Sequence, residues 1–165
     1  MSSPASVARH PIHPMLVVFP IGFWTFSLVC DIIYVFGGRE PMWNQVALYT
    51  AIAGIIGAAL AAVPGIIDYL SIDEKDMRAI GTRHLIVNSA ALVVFILACI
   101  ARLRGMVPAV PFALSVIGIV LISIGGWFGG ELVYVKGMAV EPADEQDSNE
   151  RRRSSRRDSR LGRAV

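Results

Sequence analysis

Charge is scarce in this sequence. Asp, Glu, Lys and Arg make up 17% of its 165 residues, against about 25% in an ordinary soluble domain. Mean hydropathy is positive, at +0.59. Cysteine is nearly missing. Cys30 and Cys99 lie inside apolar stretches, in no metal-like or redox-like spacing, and read as small hydrophobes. No Ser-His-Asp arrangement, nucleotide-binding glycine loop or paired catalytic carboxylate stands out, so a hydrolytic enzyme is not expected. The first 14 residues hold one Arg and three prolines, and no small-x-small cleavage motif follows the first apolar stretch. A removable leader is therefore not expected, and Cys30, preceded by Ser27, Leu28 and Val29, is poorly placed for lipid attachment.

Four apolar runs are what is there. They cover residues 15–29, 41–67, 85–101 and 106–130, and the first continues past Asp31 to Phe36. A membrane span needs roughly 20 mostly apolar residues. Hydrocarbon offers no partner to a backbone N–H or C=O, so runs of this length without alternation must be helices. The sequence thus predicts an all-α, four-transmembrane-helix bundle built from two hairpins, with a disordered basic C-terminal tail. Residues 1–13 form an N-terminal segment, 14–140 the bundle and 141–165 the tail. Four spans put both termini and the middle loop on one face, here side A. Side A carries Arg9, Lys75, Arg78, Arg83, Lys136 and seven tail arginines, whereas side B carries Arg39, Arg102 and Arg104. That bias predicts a multi-pass membrane protein with both termini cytoplasmic. The tail has almost nothing to bury. Its nearest polyanion is lipid, so no nucleic-acid partner is expected.

Local signals refine the spans. Pro14 suits the first position of the first helix, and Pro20 inside it removes the bond to the Leu16 carbonyl and should kink it. Pro64-Gly65 should kink or end the second helix, and Gly129-Gly130 should loosen the fourth. Small residues at Gly54, Ala58, Ala61 and Gly65, and again at Ser115, Gly118, Gly125 and Gly129, form two faces for close helix approach. Arg102 and Arg104 are placed to snorkel to side B. Asp31 is expected to snorkel or to pair with Arg39 or Arg102.

The two hairpins echo one another. The first begins after His13 and ends Gly65-Ile66-Ile67-Asp68-Tyr69; the second begins at His84 and ends Gly130-Glu131-Leu132-Val133-Tyr134. Both enter from side A, so the repeat is parallel, about an axis along the membrane normal. It would set His13 and His84 at matching depths. Most polar groups near the spans gather on the same side: His10, His13, Asp68, Tyr69, His84, Asn88, Glu131 and Tyr134. Ionisable groups at membrane depth are costly and usually functional.

Several of these residues also carry a family resemblance. His10-Pro11-Ile12-His13-Pro14 followed by Phe19-Pro20-Ile21-Gly22 is its most specific stretch, with Gly65-Ile66-Ile67-Asp68-Tyr69, His84-Leu85-Ile86-Val87-Asn88 and Gly129-Gly130-Glu131-Leu132-Val133-Tyr134. Together they resemble the bacterial membrane family called domain of unknown function 2231, over about residues 9–140. The resemblance implies a four-span inner-membrane protein and supplies no catalytic residue.

Chemistry then rests on the histidines. Two imidazoles pointing inward from different helices at one depth are what axial ligation of a b-type haem demands, and four-helix bundles house cofactors this way. His13 and His84 are the candidate ligands, with Asn88 beside His84 and with Asp68 and Glu131 as supporting groups. There is no Cys-x-x-Cys-His, so covalent haem attachment is unsupported. The plainer reading, that both are interfacial histidines capping helix starts and bonding Asp68 or Glu131, carries more weight. His10 adds a metal reading: in a polyproline-like segment His10 and His13 face the same way, about 9 Å apart, and with His84 or an acid could hold zinc or copper. Tyr69 and Tyr134 read as interfacial anchors. The leading specific function is a small membrane b-type cytochrome in electron transfer. The alternatives are a proton- or ion-coupled transporter using the same residues, and a non-catalytic membrane subunit that docks a redox or transport partner. A homo-oligomer is compatible with all three.

Overall fold

The structure is a computed structural model and describes residues 4–8 and 10–137. The expected basic tail, 141–165, lies outside the described residues. Four helical spans dominate, Ile12–Phe36, Pro41–Leu70, Lys75–Leu103 and Ala109–Val135. At 1.5 Å per residue even the shortest, 25 residues, reaches about 37 Å, more than the roughly 30 Å of a bilayer's hydrocarbon.

A small antiparallel hairpin precedes them: β1 (Ser6–Val7) pairs with β2 (His10–Pro11). The first span then starts at Ile12, two residues before Pro14, as α1 (Ile12–Leu16). It is interrupted at Val17 and resumes as α2 (Val18–Phe36). The cause is the proline foreseen as a kink: Pro20 has no N–H for the Leu16 carbonyl, so the ladder fails one turn upstream. Gly37–Glu40 reverse the chain, with Gly38 at φ +95° and Arg39 at φ +62°. Pro41 opens α3 (Pro41–Leu70), which runs through Pro64 without ending. The side-A connection is short, and α4 (Lys75–Leu103) follows. Gly105, at φ +64°, turns the chain into α5 (Ala109–Gly130). A π-helical turn, Glu131–Val135, closes the span, with the Lys136 N–H donating to the Glu131 carbonyl at 3.1 Å.

The helices stand in a ring. α2 packs on α3 and α5, and α4 packs on α5 and α3, so α2 and α4 face each other diagonally. Small residues make the close contacts: Ala47, Ala51, Gly54 and Ala61 are buried on α3, and Pro111, Ser115, Gly118 and Gly125 on α5. Large apolar residues such as Phe19, Ile56, Leu60, Ile86, Leu97 and Val120 point outward. Small-inside and large-outside is the arrangement that lipid, rather than water, stabilises.

The buried positions obey two constant offsets. The α2 positions Trp24 and Asp31 correspond to Phe95 and Arg102 on α4, each 71 residues later. The α3 positions Ala47, Ala51, Gly54 and Ala61 correspond to Pro111, Ser115, Gly118 and Gly125 on α5, each 64 residues later. The expected parallel repeat is therefore a pseudo-two-fold bundle. Its core register is one residue away from the Gly65/Gly130 match: Gly65 corresponds to Gly129. The π-helical turn takes up the extra residue, since such a turn widens the helix by one.

Candidate functional site

Three pairs meet on the pseudo-two-fold axis. Nearest side A, the rings of His13 and His84 lie with centroids 6.0 Å apart and planes at 81°. Deeper in, Trp24 stacks on Phe95 at 4.3 Å and 8°. Toward side B, Arg102 Nη2 donates to Asp31 Oδ2 in a buried ion pair. Each ring is seated on a glycine. A Cβ at Gly65 would stand 2.7 Å from His13 Nδ1, and one at Gly129 would stand 3.1 Å from His84 Cε1. Gly54 and Gly118 leave the same room for Trp24 and Phe95.

The two imidazoles are held in the same way. His13 Nδ1–H donates to the Ala61 carbonyl at 2.8 Å, and His84 Nδ1–H donates to the Gly125 carbonyl at 2.9 Å. A carbonyl only accepts, so the proton sits on Nδ1 in both rings and Nε2 carries the free lone pair when the ring is neutral. These partners replace the expected ones, Asp68 and Glu131. Asn88 holds the turn beneath His84: its amide donates to the His84 carbonyl at 2.8 Å, and its other near neighbour, His84 Nδ1 at 3.4 Å, has already given its proton to Gly125. Both imidazoles are half-buried.

The remaining side-A residues do not join them. His10 is exposed and bonds the Ala8 carbonyl at 3.0 Å. The segment folds back as a β-hairpin instead of a polyproline helix, which turns His10 away from His13. Among the described residues no group of three or more His, Cys, Asp or Glu could hold a metal ion, so His10, His13 and His84 do not form one metal site. Asp68 is buried and accepts the Ala5 N–H at 3.2 Å, tying the N-terminal hairpin to α3. Thr82 Oγ1 gives its proton to the Arg78 carbonyl, so the Tyr69 hydroxyl donates to Thr82, at 2.9 Å, and joins α3 to α4. Glu131 opens the π-helical turn. Tyr134 is 88% exposed. The imidazoles converge; the acids and tyrosines serve the cap and the helix ends.

Of the two expectations for Arg102, pairing with Asp31 holds and snorkelling does not. Instead of snorkelling to side B, its side chain is wholly buried against Asp31 and also donates to Ser115 Oγ at 3.1 Å. A signal existed: Asp31 and Arg102 have the spacing of His13 and His84.

These features define the class: a membrane protein of four apolar helices, built from two parallel-related hairpins with a paired-imidazole site near one face. The chain belongs to the family of predicted membrane proteins DUF2231, whose model matches residues 9–142. No curated protein and no solved structure matches it significantly.

Proposed function

We propose that this protein is a membrane electron-transfer protein that holds a b-type haem between His13 and His84. The observation that carries the reading is the imidazole pair. The two rings lie across the axis from one another with centroids 6.0 Å apart, and His13 and His84 are the residues that would hold the haem iron. Each Nδ1–H bond to a backbone carbonyl fixes the tautomer, stops the ring rotating and makes Nε2 more basic, as outer partners of metal-bound histidine do. Asn88 positions the backbone of His84, and Gly65 and Gly129 leave the rings room to stand where they do. Haem, when bound, supplies one-electron redox chemistry. A relay reading of the same residues is weaker, because the Nδ1 protons go to backbone carbonyls and not to Asp68 or Glu131.

The Lys and Arg bias supports a bacterial cytoplasmic membrane location with side A inside, which reporter fusions at both termini would check. Electron transfer at side A implies a redox partner there. The central test is an absorption spectrum of the full chain, purified in detergent after expression with ample haem. A Soret band that sharpens on dithionite reduction, and is lost in both His13→Ala and His84→Ala, is expected. A colourless wild-type protein, or a spectrum unchanged in His84→Ala, overturns the assignment.

A further inference from the structure

The two imidazoles are alike in their bonds and unlike in their supports. By the 71-residue offset His13 and His84 are counterparts, and so are Val17 and Asn88, and Pro20 and Ala91. His84 stands inside α4, an unbroken helix of 29 residues. Core residues lie on both sides of it, Ile80 and Gly81 before and Ala91 and Phe95 after. Asn88 ties the next turn back to the His84 carbonyl at 2.8 Å. His13 instead stands on α1, five residues long, none of them buried. Val17 separates α1 from α2 and, with an apolar side chain where α4 has Asn88, supplies no such tie. Pro20, where α4 has Ala91, leaves the Leu16 carbonyl without its helical partner. Moving His84 would take apart the core of α4. His13 can move with α1 about Val17 and leave every buried residue of α2 in place. Segments with few buried contacts open at the lowest free energy, and hinges fall at the ends of elements.

We propose, resting on the haem reading above, that His84 is the permanent ligand and His13 the releasable one, and that a neutral diatomic gas of the carbon monoxide class takes the place of His13. The exchange balances. The bond between iron and His13 Nε2 breaks, and one between iron and the carbon of CO forms. His13 keeps its lone pair and CO brings its own, so no proton or electron moves. The chemistry of the surroundings selects the ligand. Neither ring bonds a charged group, so an anion would enter without a partner, which is costly at membrane depth. The ligand is therefore neutral. α1 rocks while it stays packed on α3, so the gap that opens is narrow and the ligand is small. The site then answers a dissolved gas as well as carrying an electron.

The hinge is read first on the full chain without haem, by hydrogen–deuterium exchange in detergent micelles. The Val17 N–H bonds the His13 carbonyl at 3.1 Å, so its exchange reports opening of the turn that carries His13. Its counterpart Asn88 lies at the matching depth, and Val17 should exchange on the order of a hundredfold faster. Pro20→Ala copies Ala91 into the first hairpin and should slow Val17 about fivefold, the worth of one added backbone hydrogen bond. If that variant fails to fold, the wild-type comparison of Val17 with Asn88 still decides. The reduced, haem-loaded chain is then exposed to CO. Its two-imidazole spectrum should give way to that of a CO complex, at a rate about fivefold lower in Pro20→Ala. Without CO both histidine variants lose haem; with haem added under CO, His13→Ala should keep it and His84→Ala should not. A colourless wild-type protein overturns the haem reading and this proposal together. A coloured protein that ignores CO, that keeps haem under CO in His84→Ala instead of His13→Ala, or that exchanges Val17 and Asn88 alike overturns this proposal and leaves the haem reading standing.

Discussion

Exchanging Asp31 and Arg102 is the sharpest probe of the pseudo-two-fold axis. The two positions are equivalent by the 71-residue offset, so an Arg at 31 and an Asp at 102 should meet much as the native pair does. Each half of the exchange alone sets two like charges together at a buried site. Removing one partner of a buried pair costs about 3–5 kcal/mol, and Asp31→Arg or Arg102→Asp should cost at least that. The double exchange should recover nearly all of it. What it cannot recover is the bond from Arg102 to Ser115, because the equivalent α3 position is Ala51, which has no hydroxyl. A hydrogen bond to a charged group is worth about 1.5 kcal/mol or somewhat more. The exchanged protein should therefore sit about that far below wild type, and adding Ala51→Ser should return most of it. The assay is unfolding in mixed micelles by added SDS, followed by tryptophan fluorescence. If the double exchange is no more stable than the single variants, the axis does not pass through this pair. If Ala51→Ser helps wild type as much as it helps the exchanged protein, the role given to Ser115 is wrong.

Other outcomes follow from the same geometry. Gly65→Ala drives a methyl to 2.7 Å from His13 Nδ1, whereas Gly129→Ala stops 3.1 Å from His84; overpacking of this kind costs about 1–3 kcal/mol, so Gly65→Ala should be the worse, and ¹⁵N NMR of the imidazoles should show the His13 Nδ1–H bond lost. Trp24→Ala and Phe95→Ala should each cost about 3–5 kcal/mol, with the double variant falling short of the sum by about 1 kcal/mol because the rings stack on each other; strict additivity would speak against the stack. Ser27→Ala, which removes a 2.8 Å bond to the Ala47 carbonyl, should cost about 1 kcal/mol by the same unfolding assay, and a neutral result would mean that bond is not formed in the membrane protein.

The spans were legible because hydrocarbon imposes length and composition together. The offset of the helix start from Pro14 to Ile12 was not, since a proline is tolerated anywhere in a first turn. The repeat was legible in outline. It was anchored on Tyr69 and Tyr134, and the π-helical turn had already shifted those by one residue relative to the core, so Gly65 was matched to Gly130 instead of Gly129. The imidazole partners were hidden for a different reason. Ala61 and Gly125 act through backbone carbonyls, which every residue has, so nothing in their side chains marks them. His10 was misplaced because a two-residue strand pair has almost no sequence signature, and proline-rich composition suggested an extended chain. The ion pair was legible as one of the options for Asp31, and the 71-residue spacing that Asp31 and Arg102 share with the histidines singles out Arg102 over Arg39.

An axis of this sort makes every residue on it meet its own counterpart. Two identical hairpins assembling as a symmetric dimer would bring acid to acid or guanidinium to guanidinium at the level of residue 31, and one kind of ring to itself at the level of residue 24. Unlike neighbours across the axis, Asp facing Arg and Trp facing Phe, require halves with different sequences. Joining them in one polypeptide fixes that heterogeneity at one to one, and so lets opposite charges neutralise each other in the centre of a shape that still closes like a dimer.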